Sequence, residues 1–256
     1  MQIPAITSRL RRLIRGRPAP TPEPTDSYSP EEQAILERAR PLTMTSRERL
    51  VALIDAVSYV VQRQLPGAFA ECGVWRGGSV LAMILRLQQL GISDRDIYLF
   101  DTFEGMTEPT DSDTSRFETS ALSTWTANLA AGEKPWKALF DSERFNEDDV
   151  RRALLSTGYP AERLHFVRGR VEDTIPQHAP DQLALLRLDT DWYESTRHEL
   201  LHLWPRLQTG GVMIIDDYGH WDGCRKAVDE YFGAQGSAAP ILLNRIDYTG
   251  RVAIKC

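Results

Sequence analysis

The chain has 256 residues, a formal net charge of -6 and 42% hydrophobic residues, which is length for one large domain with a substantial core and a charge balance that argues against a nucleic-acid-binding surface. No apolar run approaches the roughly 20 residues that span a bilayer. The N-terminus lacks the apolar stretch of a secretory signal, and Cys72, Cys224 and Cys256 show no CxxC spacing, so neither a disulfide framework nor a zinc site is indicated and a cytoplasmic protein is expected.

In chain order, residues 1–40 read as an N-terminal arm, partly flexible. Its arginine-rich RLRRLIRGRP is followed by proline-rich APTPEP, a composition that suits packing on a second subunit of a homo-oligomer or plain disorder. From Thr45 onward, Leu50, Leu53, Ile54, Val57 and Val61 fall on one face of a helix. Thr45 with Glu48 has capping-box spacing, and the amides at that helix start suit a carboxylate ligand. Residues 68–74 then form a strand, Trp75-Arg-Gly-Gly-Ser79 a glycine-rich turn, and Val80–Leu90 a helix. The spacing of Gly73, Gly77 and Gly78 is not GxGxxG, which disfavours NAD. Gly73 lets the backbone approach a ligand closely. Glu71 at the strand end is placed to accept from an ammonium group and Ser79 at the helix start to donate to a carboxylate, as an amino acid moiety requires.

A second strand, Ile97–Phe100, ends in Asp101, where an acid commonly takes a ribose diol. Residues 102–145 are long, polar and poorly periodic, with Trp125 and Trp136 among them; segments of that length are usually lids or binding elements. Asn146 caps the next helix, Leu164–Val167 forms a third strand, and the turn after it offers Gly169, Val171 and Glu172 to the adenine side of a nucleotide. Two apolar runs, Leu183–Leu188 and Val212–Ile215, end in Asp189 and in Asp216 and Asp217, with one helix between them. Read as adjacent parallel strands, they bring three carboxylates to one sheet edge, and a divalent cation with oxygen ligands, Mg²⁺ by preference, accounts for that convergence. A helix from Cys224 to Phe232 and a hairpin of Ile241–Arg245 with Arg251–Ile254 complete the chain. Trp192, Tyr218 and Trp221 flank the acids as candidates for stacking on an acceptor. His220 follows the acidic pair as a residue of structural role or a second base, and His198 with His202, lacking a third ligand, reads as a helix surface.

Together GAFAECGVWRGGS, YLFDTFEGM, GRVEDTIP, LLRLDTDWYEST and GGVMIIDDYGHWDGCRKAVDEYF resemble the macrocin O-methyltransferase family, from about Pro41 to the C-terminus. Members of that family methylate sugar hydroxyls on macrolides and aminocoumarins. The resemblance implies an α/β fold of the class I methyltransferase (Rossmann-like) type over residues 41–256: a seven-stranded, mostly parallel sheet with helices on both faces and a terminal antiparallel hairpin, with 102–145 as a lid-like insertion. It implies S-adenosylmethionine as donor, S-adenosylhomocysteine as product, and Mg²⁺ on Asp189, Asp216 and Asp217, with Asp189 also the general base. It places Glu71 and Ser79 at the methionine portion, Asp101 at the ribose, Thr45 and Ser46 near the methionine carboxylate, and Asp191 as an orienting acid. The expected reaction is Mg²⁺-dependent methylation of a sugar hydroxyl on a small glycosylated natural product; the alternative is a catechol-type or other non-sugar acceptor.

Overall fold

The structure is a computed structural model that describes residues 28–141, 146–233 and 236–256. Within the expected arm, helix α1 (Pro30–Ala39) starts at a capping box formed by Ser29 and Glu32 and buries Ile35, Leu36 and Ala39. The rest of that expectation, residues 1–27, lies outside the described residues. Helix α2 (Arg47–Gln62) buries Leu50, Leu53, Ile54 and Val57, the face read from periodicity. Its N-cap is Ser46, whose Oγ accepts from the Arg49 amide at 3.2 Å. The expected Thr45 cap is displaced by one residue because the Thr45 hydroxyl is taken by Asp216 at 2.9 Å.

The core is one seven-stranded sheet in the order β3-β2-β1-β4-β5-β7-β6. Its strands are β1 (Ala68–Cys72), β2 (Ile97–Asp101), β3 (Leu164–Arg168), β4 (Leu183–Leu188), β5 (Leu207–Ile215), β6 (Asn244–Arg245) and β7 (Arg251–Ile254). The first five pair in parallel, and β7 runs antiparallel to β5 and β6. This is the expected architecture. Every residue of β1 and of β4 is buried, as parallel strands covered on both faces require. Alternate residues serve opposite layers. Phe69, Leu99, Leu185 and Ile214 pack under α1, α2 and α3 (Gly78–Gln89), whereas Ala70, Phe100, Leu186 and Met213 pack with α7 (Tyr193–Leu203) and α8 (Asp222–Phe232).

Three elements differ from the sequence reading. β5 begins before the apolar run, at Leu207, because a bulge around Gly210 (φ +84°) joins an extra stretch to the sheet, with the Gly210 amide on Lys255 O. β6 keeps two residues of the expected first hairpin strand, since Ile241 and Leu243 pack against the α7/α8 layer instead. The 102–145 segment contains α4 (Ala121–Ala130), capped by Ser120. Asp113, 1% exposed, fixes this segment to the body by accepting from the Tyr193 amide at 2.7 Å and from the Thr110 amide at 2.6 Å. Two short helices, α5 (Glu147–Leu155) behind its Asn146 cap and α6 (Val171–Thr174), complete the layers. Among the described residues no helix is long and apolar enough to cross a membrane.

Candidate functional site

Strand order reverses on either side of β1 and β4, and at such a switch point the strand ends open a crevice. A cavity of about 440 Å³ lies there, within the size range of small-molecule sites. It is lined by residues at or just after the ends of β1, β2, β3, β4 and β5, among them Glu71, Asp101, Gly169, Asp189 and Asp217. The β1 turn sits close to β4 because Gly73 has φ +84° and an added Cβ would meet the Asp189 carbonyl oxygen at 1.9 Å. The expected reason for glycine, approach of a ligand, is therefore joined by approach of the neighbouring strand.

At one end of the cavity Asp189, Asp216 and Asp217 bring one carboxylate oxygen each within 4.8 Å of one another. Asp216 and Asp217 are buried, while the Asp189 side chain is 28% exposed. Arg187, an interruption in the apolar β4 run, is 2% exposed. It donates to Asp189 at 2.7 Å and to Glu71 and Asp216. Burial opposes its charge, yet Asp189 and Glu71 hold its pKa above the ordinary arginine value. Arg49 from α2 pairs with Asp216 and, at 3.0 Å, with Asp247. Asp191, at φ +68°, donates its amide to Asp217 at 3.3 Å and accepts from Trp221 Nε1 at 2.8 Å. Burial and Asp189 push its carboxyl up to about 7, and burial, Asp191 and Asp189 push Asp217 well above the usual carboxylate range.

The charges decide whether this cluster suits a divalent cation. Glu71, Asp189, Asp191, Asp216 and Asp217 cluster about Arg49 and Arg187, so carboxyl groups outnumber guanidinium groups by 5 − 2 = 3, and a divalent cation supplies the charge that favours their ionised forms. Oxygen donors with excess negative charge in a buried setting fit Mg²⁺. Asp189 and Asp217 enter with open lone pairs; Asp216 enters already bonded to Thr45, Arg49 and Arg187.

The other end of the cavity carries the expected cofactor residues. Glu71 is 1% exposed; Arg187 takes one oxygen, and Oε2 has no hydrogen-bond partner among the described residues. That is an acceptor suited to an ammonium group. Burial lifts the Glu71 carboxyl to about 8, with Arg187 opposing. Asp101 binds the amides of Val74, Trp75 and Phe103 at 2.7, 2.9 and 2.6 Å, which shapes the β1 turn. Thr45, Gly73, Ser79, Gly169, Val171 and Glu172 line the same cavity. Ser46 is not among the lining residues: its hydroxyl caps α2 and donates to Asp247 at 2.7 Å.

Of the aromatic candidates, Trp221 lines the cavity. Trp192 is 2% exposed and donates to Thr107 O, so it seats the 102–145 segment. Tyr218 bonds Asp229 and lies under Arg251. His198 bonds Ile175 O and stacks near His202, with no metal-ligand group around them among the described residues. His220 lines the cavity, and burial lowers its pKa. Its Nδ1 lies 3.0 Å from Tyr248 Oη and its ring stacks on Phe117.

Sequence reasoning missed Arg187, Arg49 and Tyr248 as site residues. The signal for Arg187 was present: a guanidinium in a fully buried strand requires anionic partners.

The family described as macrocin-O-methyltransferase matches residues 33–253. The chain is 36% identical over 208 residues to the 8-demethyl-8-(2,3-dimethoxy-alpha-L-rhamnosyl)-tetracenomycin-C 4'-O-methyltransferase of Streptomyces olivaceus, covering 81% of this chain and 73% of the relative. It is 33% identical over 189 residues to the demethyldecarbamoylnovobiocin O-methyltransferase of Streptomyces niveus, covering 74% and 67%. Among solved structures, the O-methyltransferase NovP superposes with a TM-score of 0.69 at 30% identity, over 84% of this chain and 82% of that one.

Proposed function

This chain belongs to the macrocin O-methyltransferase family, and on that premise we propose that it transfers a methyl group from S-adenosylmethionine to a sugar hydroxyl of a small glycosylated natural product. The single observation that carries the reading is one cavity joining an unpartnered Glu71 oxygen to three converging aspartates. The named relatives are O-methyltransferases of a rhamnosyl-tetracenomycin and of demethyldecarbamoylnovobiocin, which supports a natural-product acceptor.

In this reading Asp189, Asp216 and Asp217 would hold Mg²⁺, and Glu71, Ser79 and Thr45 would hold the methionine end of the cofactor. When bound, Mg²⁺ supplies charge that makes an alcohol more acidic, and the sulfonium supplies an already activated methyl group. The protein's own contribution is placement and proton removal. Arg187 bonds Glu71, Asp189 and Asp216 and so sets the cofactor acceptor in fixed relation to the acid cluster. Asp101 and Glu172 frame the ribose and adenine ends. Asp189 receives the proton of the acceptor hydroxyl as general base. A second acceptor of that proton is favoured by the position of His220, whose imidazole lines the same cavity and whose lowered pKa keeps it neutral at physiological pH. The 102–145 segment, seated through Trp192 and Asp113, limits water at the site.

The test is mass spectrometry of acceptors incubated with methyl-labelled S-adenosylmethionine, with Mg²⁺ or with EDTA. Rhamnosides and catechols are offered side by side. A gain of one labelled methyl on the sugar, lost in EDTA, is the expected result. Methylation of catechols alone overturns the sugar reading, and full turnover in EDTA overturns the metal.

A further inference from the structure

Beyond the acid cluster, the cavity ends at a group of rings of which the mechanism above uses only His220, as a second proton acceptor. His220 and Tyr248 line the cavity together with Met44 and Glu118. Phe117 lies nearly parallel to His220, with centroids 5.4 Å apart at 14°, and edge-on to Tyr248 at 5.3 Å and 78°. These rings come from separate parts of the chain: the 102–145 segment, the loop after β5, and the turn before β7. They are tied closely to the aspartates. The His220 amide donates to Asp217 O at 3.0 Å, and the Thr249 hydroxyl, next to Tyr248, donates to Asp216 O at 2.7 Å.

The His220 side chain is 18% exposed, yet the other two rings and the neighbouring methionine are not covered. Phe117 is 48% exposed, Tyr248 52% and Met44 56%. Arg116 backs the Phe117 ring at 4.7 Å, and Phe117 keeps that exposure with the arginine in place. Large aromatic surface left open beside a reaction centre marks a place where a ligand completes the packing.

We propose that Phe117, His220 and Tyr248 form a stacking corner for a planar aromatic aglycone, the part of the acceptor that carries the sugar. This deepens the reading above and rests on it: the sugar reaches the aspartates while the body to which it is attached lies on the rings. Two flat surfaces at nearly a right angle offer one face for offset stacking and one for an edge contact, and a planar ring system meets both. The Met44 thioether adds a third apolar contact favourable to aromatics. Charge argues against the other common sugar carrier, a nucleoside diphosphate. A pyrophosphate requires uncommitted cations. Among the described residues lining this cavity the arginines are Arg49 and Arg170, and Arg116 beside the corner is engaged over the Phe117 ring. Arg49 is bonded to Asp216 and Asp247, and Arg170 pairs with Glu172 at 3.4 Å at the far end.

The experiment measures binding of three probes to the full chain with S-adenosylhomocysteine and Mg²⁺ present: 4-methylumbelliferyl α-L-rhamnoside, methyl α-L-rhamnoside and dTDP-rhamnose. The coumarin glycoside is expected to bind about tenfold more tightly than the methyl glycoside. That ratio falls by about 2- to 12-fold in Phe117→Ala and in Tyr248→Ala, the range that one aromatic contact represents. Tyr248→Phe, which keeps the ring and loses only the hydroxyl, retains the ratio, as does Leu155→Ala on the remote helix α5. Equal binding of the two rhamnosides, a ratio unchanged in both alanine variants, or tightest binding of dTDP-rhamnose overturns the corner. Binding of 7-methoxy-4-methylcoumarin, an aglycone with neither sugar nor hydroxyl, separates this idea from the sugar reading. Loss of that binding in both alanine variants supports the corner even where no rhamnoside is methylated.

Discussion

Arg187 Nη1 lies 2.7 Å from Asp189 Oδ2, and the same nitrogen bonds Glu71 on the adjacent strand. One buried cation thus joins the residue expected at the cofactor to the residue expected at the metal. Removing it leaves Glu71 buried without its guanidinium and Asp216 with Arg49 alone. A buried pair broken on one side costs about 3–5 kcal/mol, so Arg187→Met is expected to lower the melting temperature by roughly 6–20 °C. A melting curve within 2 °C of wild type would show that the network contributes nothing to the fold.

Asp217 should behave in the opposite sense for stability. Burial and its acidic neighbours Asp191 and Asp189 disfavour its charge, so an uncharged amide relieves repulsion in the metal-free protein. Asp217→Asn is expected to melt no lower than wild type in EDTA while methyl transfer falls about 100-fold or more, as happens when a metal site loses a ligand. Stability and activity then move apart, a pattern that general misfolding does not give. Turnover and melting measured on one preparation check both halves.

The pH dependence of the metal-free protein follows from Glu71. Its carboxyl is lifted by burial from 4.5 to about 8, so between those values the folded state holds a proton that the unfolded state has released. Stability therefore falls as pH rises through that window and levels off above it, with a slope of up to about 1.4 kcal/mol per pH unit from one such group. Asp191, at about 7, acts in the same direction. Glu71→Gln removes one titrating group and should flatten the decline between pH 5 and 8 without abolishing it. Urea midpoints at several pH values in EDTA measure this; an unchanged slope in the variant excludes Glu71 as a source.

Much of this site was legible in the chain because it sits where the sequence punctuates itself. Asp101, Asp189, Asp216 and Asp217 each close an apolar run, and a run that ends in an acid announces a strand end at a sheet edge. What escaped depends on distances the sequence does not carry. Arg187 is hidden within an apolar run, and its partner Glu71 is 116 positions away. Thr45 and Ser46 are equally good caps by chemistry, and the choice is made by Asp216, 171 positions from Thr45. Phe117 and Tyr248 meet only because two separate loops converge on His220. The bulge at Gly210 and the shortened β6 follow from packing against neighbours, which local periodicity does not encode.

Glu199 shows how the turn that carries the acids is held. Asp189, Thr190 and Asp191 form a tight bend in which Asp191 has φ +68°, a conformation that needs outside support. The Thr190 hydroxyl supplies some of it by donating to Glu199 Oε1 at 2.8 Å. Glu199 is 0% exposed on α7, and burial raises its pKa well above the usual carboxylate range, which favours its neutral form. Gln is then a near-isostere that keeps the acceptor oxygen, and Glu199→Gln should preserve divalent-cation affinity and melting temperature. Glu199→Leu removes the acceptor of the half-buried Thr190 hydroxyl, a loss of about 0.5–1.5 kcal/mol for one hydrogen bond, and it frees the bend between two acids. Loss of such an outer partner typically weakens metal binding about 10- to 100-fold. Mn²⁺ titration of the two variants distinguishes support of the bend from simple filling of space. Equal affinities in Gln and Leu would leave Glu199 as packing alone; a weakened Leu variant beside an intact Gln variant makes the Thr190–Glu199 bond a determinant of the acid cluster's geometry.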